Sequence, residues 1–222
     1  MKIIARIHND FDSKFGIPRQ SNVVQELKGR IVFEPEYRNE AALRGIEGFD
    51  YLWLIWQFSE AVRDKWSPTV RPPILGGNTR VGVFATRSPF RPNAIGLSSV
   101  KLEKVELHTP EGPVLHISGA DLMNGTPILD IKPYLAYVDS HSEAAQGFRG
   151  KGWKRKLQVN FPSEFLARIP LEKQAGLLGV LENDPRPTYQ EDAQRIYGMS
   201  FGGQEIKFQV SEGTLQVVAI EG

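Results

Sequence analysis

Four arginines, Arg71, Arg80, Arg87 and Arg91, stand in a stretch, residues 65–102, that contains no Asp or Glu. The chain as a whole is balanced, with 27 Lys and Arg against 26 Asp and Glu. Five prolines and four glycines punctuate the stretch, so fixed turns, not a flexible helix, present the guanidinium groups. Arginines held this way without neutralising acids suit an anionic partner such as phosphate, carboxylate or an RNA backbone. An ordinary solvated basic loop is the alternative, although solvated faces usually mix both signs.

A second polar set lies at 121–134. Asn124-Gly125-Thr126-Pro127 is a tight turn by composition. It leads into a strand in which Asp130 and Lys132 alternate with Leu129 and Ile131, so both polar side chains share one face. That pair is either a surface ion pair or a carboxylate and an ammonium facing a pocket. Upstream, Arg19 and Gln20 directly follow Pro18, whose fixed φ holds them at a defined angle. Downstream, Arg186 stands between two prolines. The four histidines, His8, His108, His116 and His141, are far apart and lack ligand spacing, so no metal site is expected. With no cysteine, disulfides, thiolate zinc sites, iron–sulfur clusters and a cysteine nucleophile are excluded. Neither GxGxxG nor a P-loop occurs.

The elements that must position these residues are mostly strands. Residues 2–8, 29–34, 51–58, 80–86, 95–108, 113–119 and 127–133 are rich in β-branched and aromatic side chains and are separated by Gly, Pro, Asn and Asp. No long amphipathic helix intervenes, which favours an antiparallel barrel or sandwich over a doubly wound sheet. A short helix is expected at 39–46, capped by Asn39 and stopped by Gly45. From 141 to 156 the composition turns polar, glycine-rich and basic, as in a linker or mobile loop. Beyond it a strand, helical stretches at 163–168 and 171–182, and a hairpin turning at 211–213 read as a small α+β domain. The expected fold is therefore mainly β: a strand-rich N-terminal domain (1–140), a connecting segment (141–156) and a C-terminal domain (157–222). No apolar run is long enough to cross a bilayer and no signal pattern opens the chain, so a soluble cytoplasmic protein is expected.

Five blocks, KFGIPRQ from Lys14, RGIEGFDYLWLI from Arg44, VRPPILGGNTRVGVFATRSPFRPNAIG from Val70, DLMNGTPILDIKPY from Asp121 and DPRPTY from Asp184, together resemble the TsaA/TrmO (YaeB-like) family. The resemblance spans nearly the whole chain in one order. It implies an antiparallel β-barrel with a small C-terminal domain, S-adenosylmethionine bound near a homodimer interface, and methylation of the exocyclic nitrogen of threonylcarbamoyladenosine beside the tRNA anticodon. The cofactor contacts it implies are Pro18, Arg19, Gln20, Ser59, Glu60, Arg87, Leu97, Asp121, Leu122, Met123 and Asn124. Two departures stand out: many members carry His-Gln where this chain has Ser59-Glu60, and Asp where it has Asn124.

On that reading Asp130, or else Asp121, is the candidate base that removes the proton from a poorly nucleophilic nitrogen. Lys132 would hold the threonyl carboxylate or the carbamoyl oxygen. Arg71, Arg80 and Arg91 would grip anticodon-loop phosphates. Phe84 and Phe90 are possible stacking partners for splayed bases, with core packing the preferred role for Phe84. The alternatives are a non-catalytic RNA-binding barrel and a methyltransferase acting on a small anionic metabolite.

Overall fold

Alternation is strictest in one strand of the first sheet. In β3 (Tyr51–Gln57), Leu52, Leu54 and Trp56 are buried while the residues between them stay half-exposed. β1 (Ala5–His8) and the first half of β6 (Ile95–Glu106) alternate likewise, whereas β2 (Lys28–Phe33), β7 (Val114–Ser118) and β8 (Pro127–Pro133) each bury neighbouring residues in succession. A computed structural model, which describes residues 1–148, 156–187 and 192–222, closes these six strands into a barrel. The order is β1-β2-β7-β6-β3-β8, and every neighbouring pair is antiparallel. Closure leaves no unpaired edge. Ile7, Ile31, Leu52, Leu54, Val100, Leu115 and Ile128 are completely buried inside it. Each such side chain contributes roughly 1.5–3 kcal/mol. At one end Trp56 fills the lumen. It can do so because Gly96 stands opposite, where a Cβ would overlap the indole.

The segment expected as a strand at 80–86 is shorter. Between β3 and β6, β4 (Thr69–Val70) and β5 (Val81–Gly82) form a two-stranded hairpin outside the barrel, and a 3₁₀ turn (Val83–Ala85) follows. The chain turns there to bury Val83. The helix expected at 39–46 is reduced to a 3₁₀ turn, Glu40–Leu43. Its cap is as expected, with Asn39 accepting the Ala41 N–H at 3.0 Å. Only Leu43 of that turn is buried, too little apolar surface to hold a longer helix. The expected linker at 141–156 falls partly outside the described residues.

The second unit comprises β9 (Gln158–Asn160), α2 (Ser163–Leu166), α3 (Leu171–Glu182), β10 (Tyr197–Phe201), β11 (Gln204–Ser211) and β12 (Thr214–Glu221). The sheet order is β10-β11-β12-β9, the last pair being parallel. Glu212 and Gly213, both with positive φ, turn the expected hairpin. No helix among the described residues is long and apolar enough to cross a membrane.

The two units share a core. Phe11, Val24 and Leu27 lie in the connection from β1 to β2, yet they pack with Leu177, Leu181, Phe201 and Phe208 of the C-terminal unit. Phe11 meets Phe201 edge to face, with ring centroids 5.4 Å apart. Gly176 and Gly179 let α3 lie directly on Leu27 and Val24. Lys173 Nζ reaches Asp10 Oδ1 at 2.6 Å across the same seam. Gly16, at φ 95°, abuts the Met199 side chain so closely that no Cβ fits. Gly16→Ala is therefore expected to cost about 2 kcal/mol, a fall in Tm of roughly 4–8 °C in a thermal melt. Adding Met199→Ala should relieve part of that loss, so the two substitutions combine less than additively.

Candidate active site

The antiparallel register sends three long connections out of the same barrel end. They are 9–27 after β1, 58–94 after β3 and 119–126 after β7, and the pairs His8↔Arg30, Lys28↔Ser118 and Gln57↔Ile95 mark that end. Side chains then tie the connections to one another. The Arg87 guanidinium donates to the Gln20 side-chain carbonyl. Lys14 pairs with Glu60 at 2.8 Å. The Asn22 N–H donates to Gly119 O at 2.8 Å, and Asn22 Nδ2 donates to Ser99 O at 3.0 Å. Asn22 adopts a left-handed φ of 61°, a conformation asparagine tolerates better than most residues.

At the centre is a buried relay. Trp56 Nε1 donates to Ser98 Oγ at 3.0 Å, and the Ser98 hydroxyl donates to Asp121 Oδ1 at 2.6 Å. Burial pushes the Asp121 carboxyl above the usual carboxylate range. The Ser98 hydroxyl, the backbone N–H groups of Asp121 and Ser21, and the charge of Arg87 pull the other way without cancelling it. Ser98, Trp56, Ser21 and Asn22 could not be singled out in advance. Each is an unremarkable residue by type; barrel closure brings Ser98 and Trp56 to Asp121, and the 9–27 connection brings Ser21 to Asp121 and Asn22 to Gly119 and Ser99.

Next to the relay, Asn124 uses both halves of its amide. Its Oδ1 accepts the Asn9 N–H at 3.2 Å, and its Nδ2 donates to Asp12 Oδ1 at 2.9 Å. A carboxylate here would have no proton for Asp12 and would repel it, so asparagine is the residue that this neighbour calls for. Asn9 Nδ2 holds Leu122 O at 2.7 Å; Leu122 is buried and Met123 half-buried. The departure at Ser59-Glu60 is likewise accommodated, since Glu60 is the partner of Lys14.

The second domain reaches the same cluster. Asp184 and Arg186, each only 8% exposed, form a two-pronged ion pair at 2.8 and 3.0 Å. Arg186 thus turns its guanidinium inward and offers its backbone carbonyl, which accepts from Arg19 Nη2 at 3.1 Å. Pro18 lies half-buried immediately before this contact.

Gln20, Arg87, Asp121 and Asn124 are thus brought to one end of the barrel, with Arg19 fixed there from the second domain. Ser59 and Glu60 are exposed at its rim. Leu97, 55% exposed, sits on the outer wall of β6 opposite Ile55 of β3, which in turn pairs with Asp130 of β8. Asp130 and Lys132 do share a face, the outer one. There they form an exposed ion pair of 3.1 Å, and Asp130 borders an open cleft with Lys2, Ile4 and Tyr37, away from the loop cluster.

The acid-free arginines divide by role. Arg91 Nη1 donates to Thr86 O at 2.8 Å and braces its own loop. Arg80 Nη1 donates to Thr69 Oγ1 at 2.8 Å across the hairpin and remains exposed, as does Arg71. Core packing does not hold for Phe84, which is 72% exposed, because the 3₁₀ turn buries its neighbour Val83 instead.

Comparison with known proteins follows the same division. Residues 6–140 match the family model for the tRNA-methyltransferase O N-terminal domain, and residues 154–222 match that for the TrmO C-terminal domain. The chain is 36% identical over 226 residues to the tRNA (adenine(37)-N6)-methyltransferase of Escherichia coli K12, covering 98% of this chain and 96% of that protein. It is 43% identical over 178 residues to the protein of the same name from Eikenella corrodens, covering 78% of this chain and 99% of that one. The crystal structure of TrmO from Pseudomonas aeruginosa superposes with a TM-score of 0.78 at 29% identity, covering 99% of this chain and 97% of that one.

Asp121→Asn keeps the hydrogen bond from Ser98 and removes the cost of burying a charge. A raised folded-state pKa makes the carboxylate a liability at every pH above that pKa and neutral below the unfolded value of about 3.9. The asparagine variant is therefore expected to melt above the parent near pH 7. The advantage should vanish as pH falls toward 4 in a calorimetric pH series.

Proposed function

The chain belongs to the TrmO family, and we propose that it transfers a methyl group from S-adenosylmethionine to the N6 nitrogen of threonylcarbamoyladenosine at position 37 of tRNA. What carries this reading is the convergence of Gln20, Arg87, Asp121 and Asn124, from three separate loops, at one barrel end beside the arginine-bearing hairpin. The proposed tRNA substrate is what supports a cytoplasmic location.

The donor set suits the cofactor. A guanidinium and an amide, Arg87 and Gln20, match an amino-acid carboxylate, while Glu60 at the rim supplies an acceptor for an ammonium or ribose hydroxyls. When bound, S-adenosylmethionine supplies an electrophilic methyl group for in-line transfer, a reaction governed mainly by positioning. Pro18, Arg19, Ser59, Leu97, Asp121, Leu122, Met123 and Asn124 are the other cofactor contacts that the family resemblance implies. Leu97 shares the outer wall with the exposed Tyr137 and Val138 of α1 (Ala136–Asp139), which Trp53 Nε1 anchors to β3 through Asp139 at 2.9 Å. That apolar wall is our candidate for the homodimer interface.

The acceptor nitrogen is weakened by conjugation with the purine and the carbamoyl group, so its N–H proton must leave. We assign that proton to Asp121. Burial raises the affinity of this carboxylate for a proton, whereas Asp130 is already engaged by Lys132 in solvent. Lys132 is correspondingly left out of the reacting centre.

Labelled S-adenosylmethionine and tRNA from a strain lacking this enzyme, followed by nucleoside mass spectrometry, test the reaction. One added methyl on threonylcarbamoyladenosine is expected, and none on tRNA without that modification. No transfer despite measurable cofactor binding would leave the fold standing and remove the substrate. For the base, Asp121→Asn should lower kcat by about 100-fold or more, and Asp130→Asn by less than about tenfold. An effect of Asp121→Asn confined to the KM for S-adenosylmethionine would return that residue to cofactor binding alone.

A further inference from the structure

Two large aromatic side chains remain uncovered on the acid-free loop. Trp66 is 52% and Phe84 72% exposed, and their rings lie 6.1 Å apart, inclined at 33°. The placement is built. Trp66 precedes the short hairpin and Phe84 follows it, and the pairs Thr69↔Gly82 and Val70↔Val81 draw the two flanks together. The Val83 N–H extends the ladder by donating to Pro68 O at 2.9 Å, and the Val83 side chain, 1% exposed, anchors the turn. Arg80 ties the strands across Thr69. Burying Val83 leaves the adjacent Phe84 facing outward.

We propose that Trp66 and Phe84 form a stacking platform for an unpaired base of a single-stranded RNA loop, flanked by Arg71 and Arg80 for the neighbouring phosphates. This rests on the tRNA reading above and adds to it the residues that receive a base. Every base has a π-face, and stacking on aromatic side chains is the usual way proteins hold bases splayed from a loop. The charge around the rings selects that occupant. Residues 65–102 carry no carboxylate, so phosphates find guanidinium groups along the hairpin, with Asp64 the nearest acid in sequence. A second copy docked symmetrically through this patch would instead bring like-charged hairpins together. Phe90 does not belong to the platform, because the Arg63 guanidinium lies 3.8 Å over its ring.

The test uses an anticodon stem-loop bearing threonylcarbamoyladenosine, titrated against the full-length protein. Trp66→Ala and Phe84→Ala should each weaken binding roughly tenfold or more, with the salt dependence unchanged. Phe84→Tyr should restore it. Arg71→Ala should weaken binding and flatten the salt slope by about one unit. Calorimetric affinity for S-adenosylmethionine should stay the same in the aromatic variants. Parental RNA affinity in Phe84→Ala would overturn the platform alone. Loss of a dimer in sedimentation, with RNA affinity intact, would reassign the patch to self-association. Failure of the unaltered protein to bind the stem-loop would overturn the platform together with the tRNA reading.

Discussion

Phe11, Val24 and Leu27 leave the barrel and complete the hydrophobic core of the second domain. This burial is the constraint on which the rest depends. A connection such as 9–27 would, by itself, pay a large entropic penalty for holding one conformation. Its apolar side chains instead find a ready interior, and Gly16 lets the backbone lie against Met199. Pro18, Arg19 and Gln20 are thereby delivered to the barrel end by a segment that belongs structurally to both domains. The C-terminal domain shapes the site from behind, through Phe201 and Phe208, and from the side, through the Arg186 carbonyl.

A second constraint operates inside the barrel. Trp56 occupies the lumen where Gly96 leaves room, and its indole N–H is satisfied by Ser98. That hydroxyl then has its own proton to give, and Asp121 accepts it. Barrel packing and the chemistry of the site are therefore coupled through one buried hydrogen-bonded chain, where each group's orientation is set by the one before it. The same burial that orders Asp121 shifts its proton affinity upward, in the direction the proposed base requires.

On the proposed function, the charge pattern separates recognition from reaction. The hairpin with Arg71 and Arg80 stands clear of the barrel, while Arg87 turns toward Gln20 and Arg91 back onto its own loop. One run of arginines thus serves three ends: reaching outward, lining the site and bracing the backbone. The departures at Glu60 and Asn124 follow the same logic of local partners, since each is matched by a charged or polar neighbour, Lys14 and Asp12.

Much was legible in the residues themselves. Alternation in β3 and the first half of β6, the cap at Asn39, the turn at 211–213 and the absence of acids over 65–102 are local properties, and local rules decide them. The ordered blocks from Lys14 to Asp184 carried the family resemblance for the same reason. Long-range closure decided the rest. Asp130 and Lys132 share a face, as period-two alternation requires, but which face is the outside depends on the register with Ile55 and Trp53. By sequence Asp121 is the alternative to Asp130 as base and a cofactor contact; its buried partners Ser98 and Trp56 come only from the barrel. Phe84 looked like core until Val83 took the buried position. Spacing along the chain determines which side chains point the same way; only tertiary packing determines what they point at.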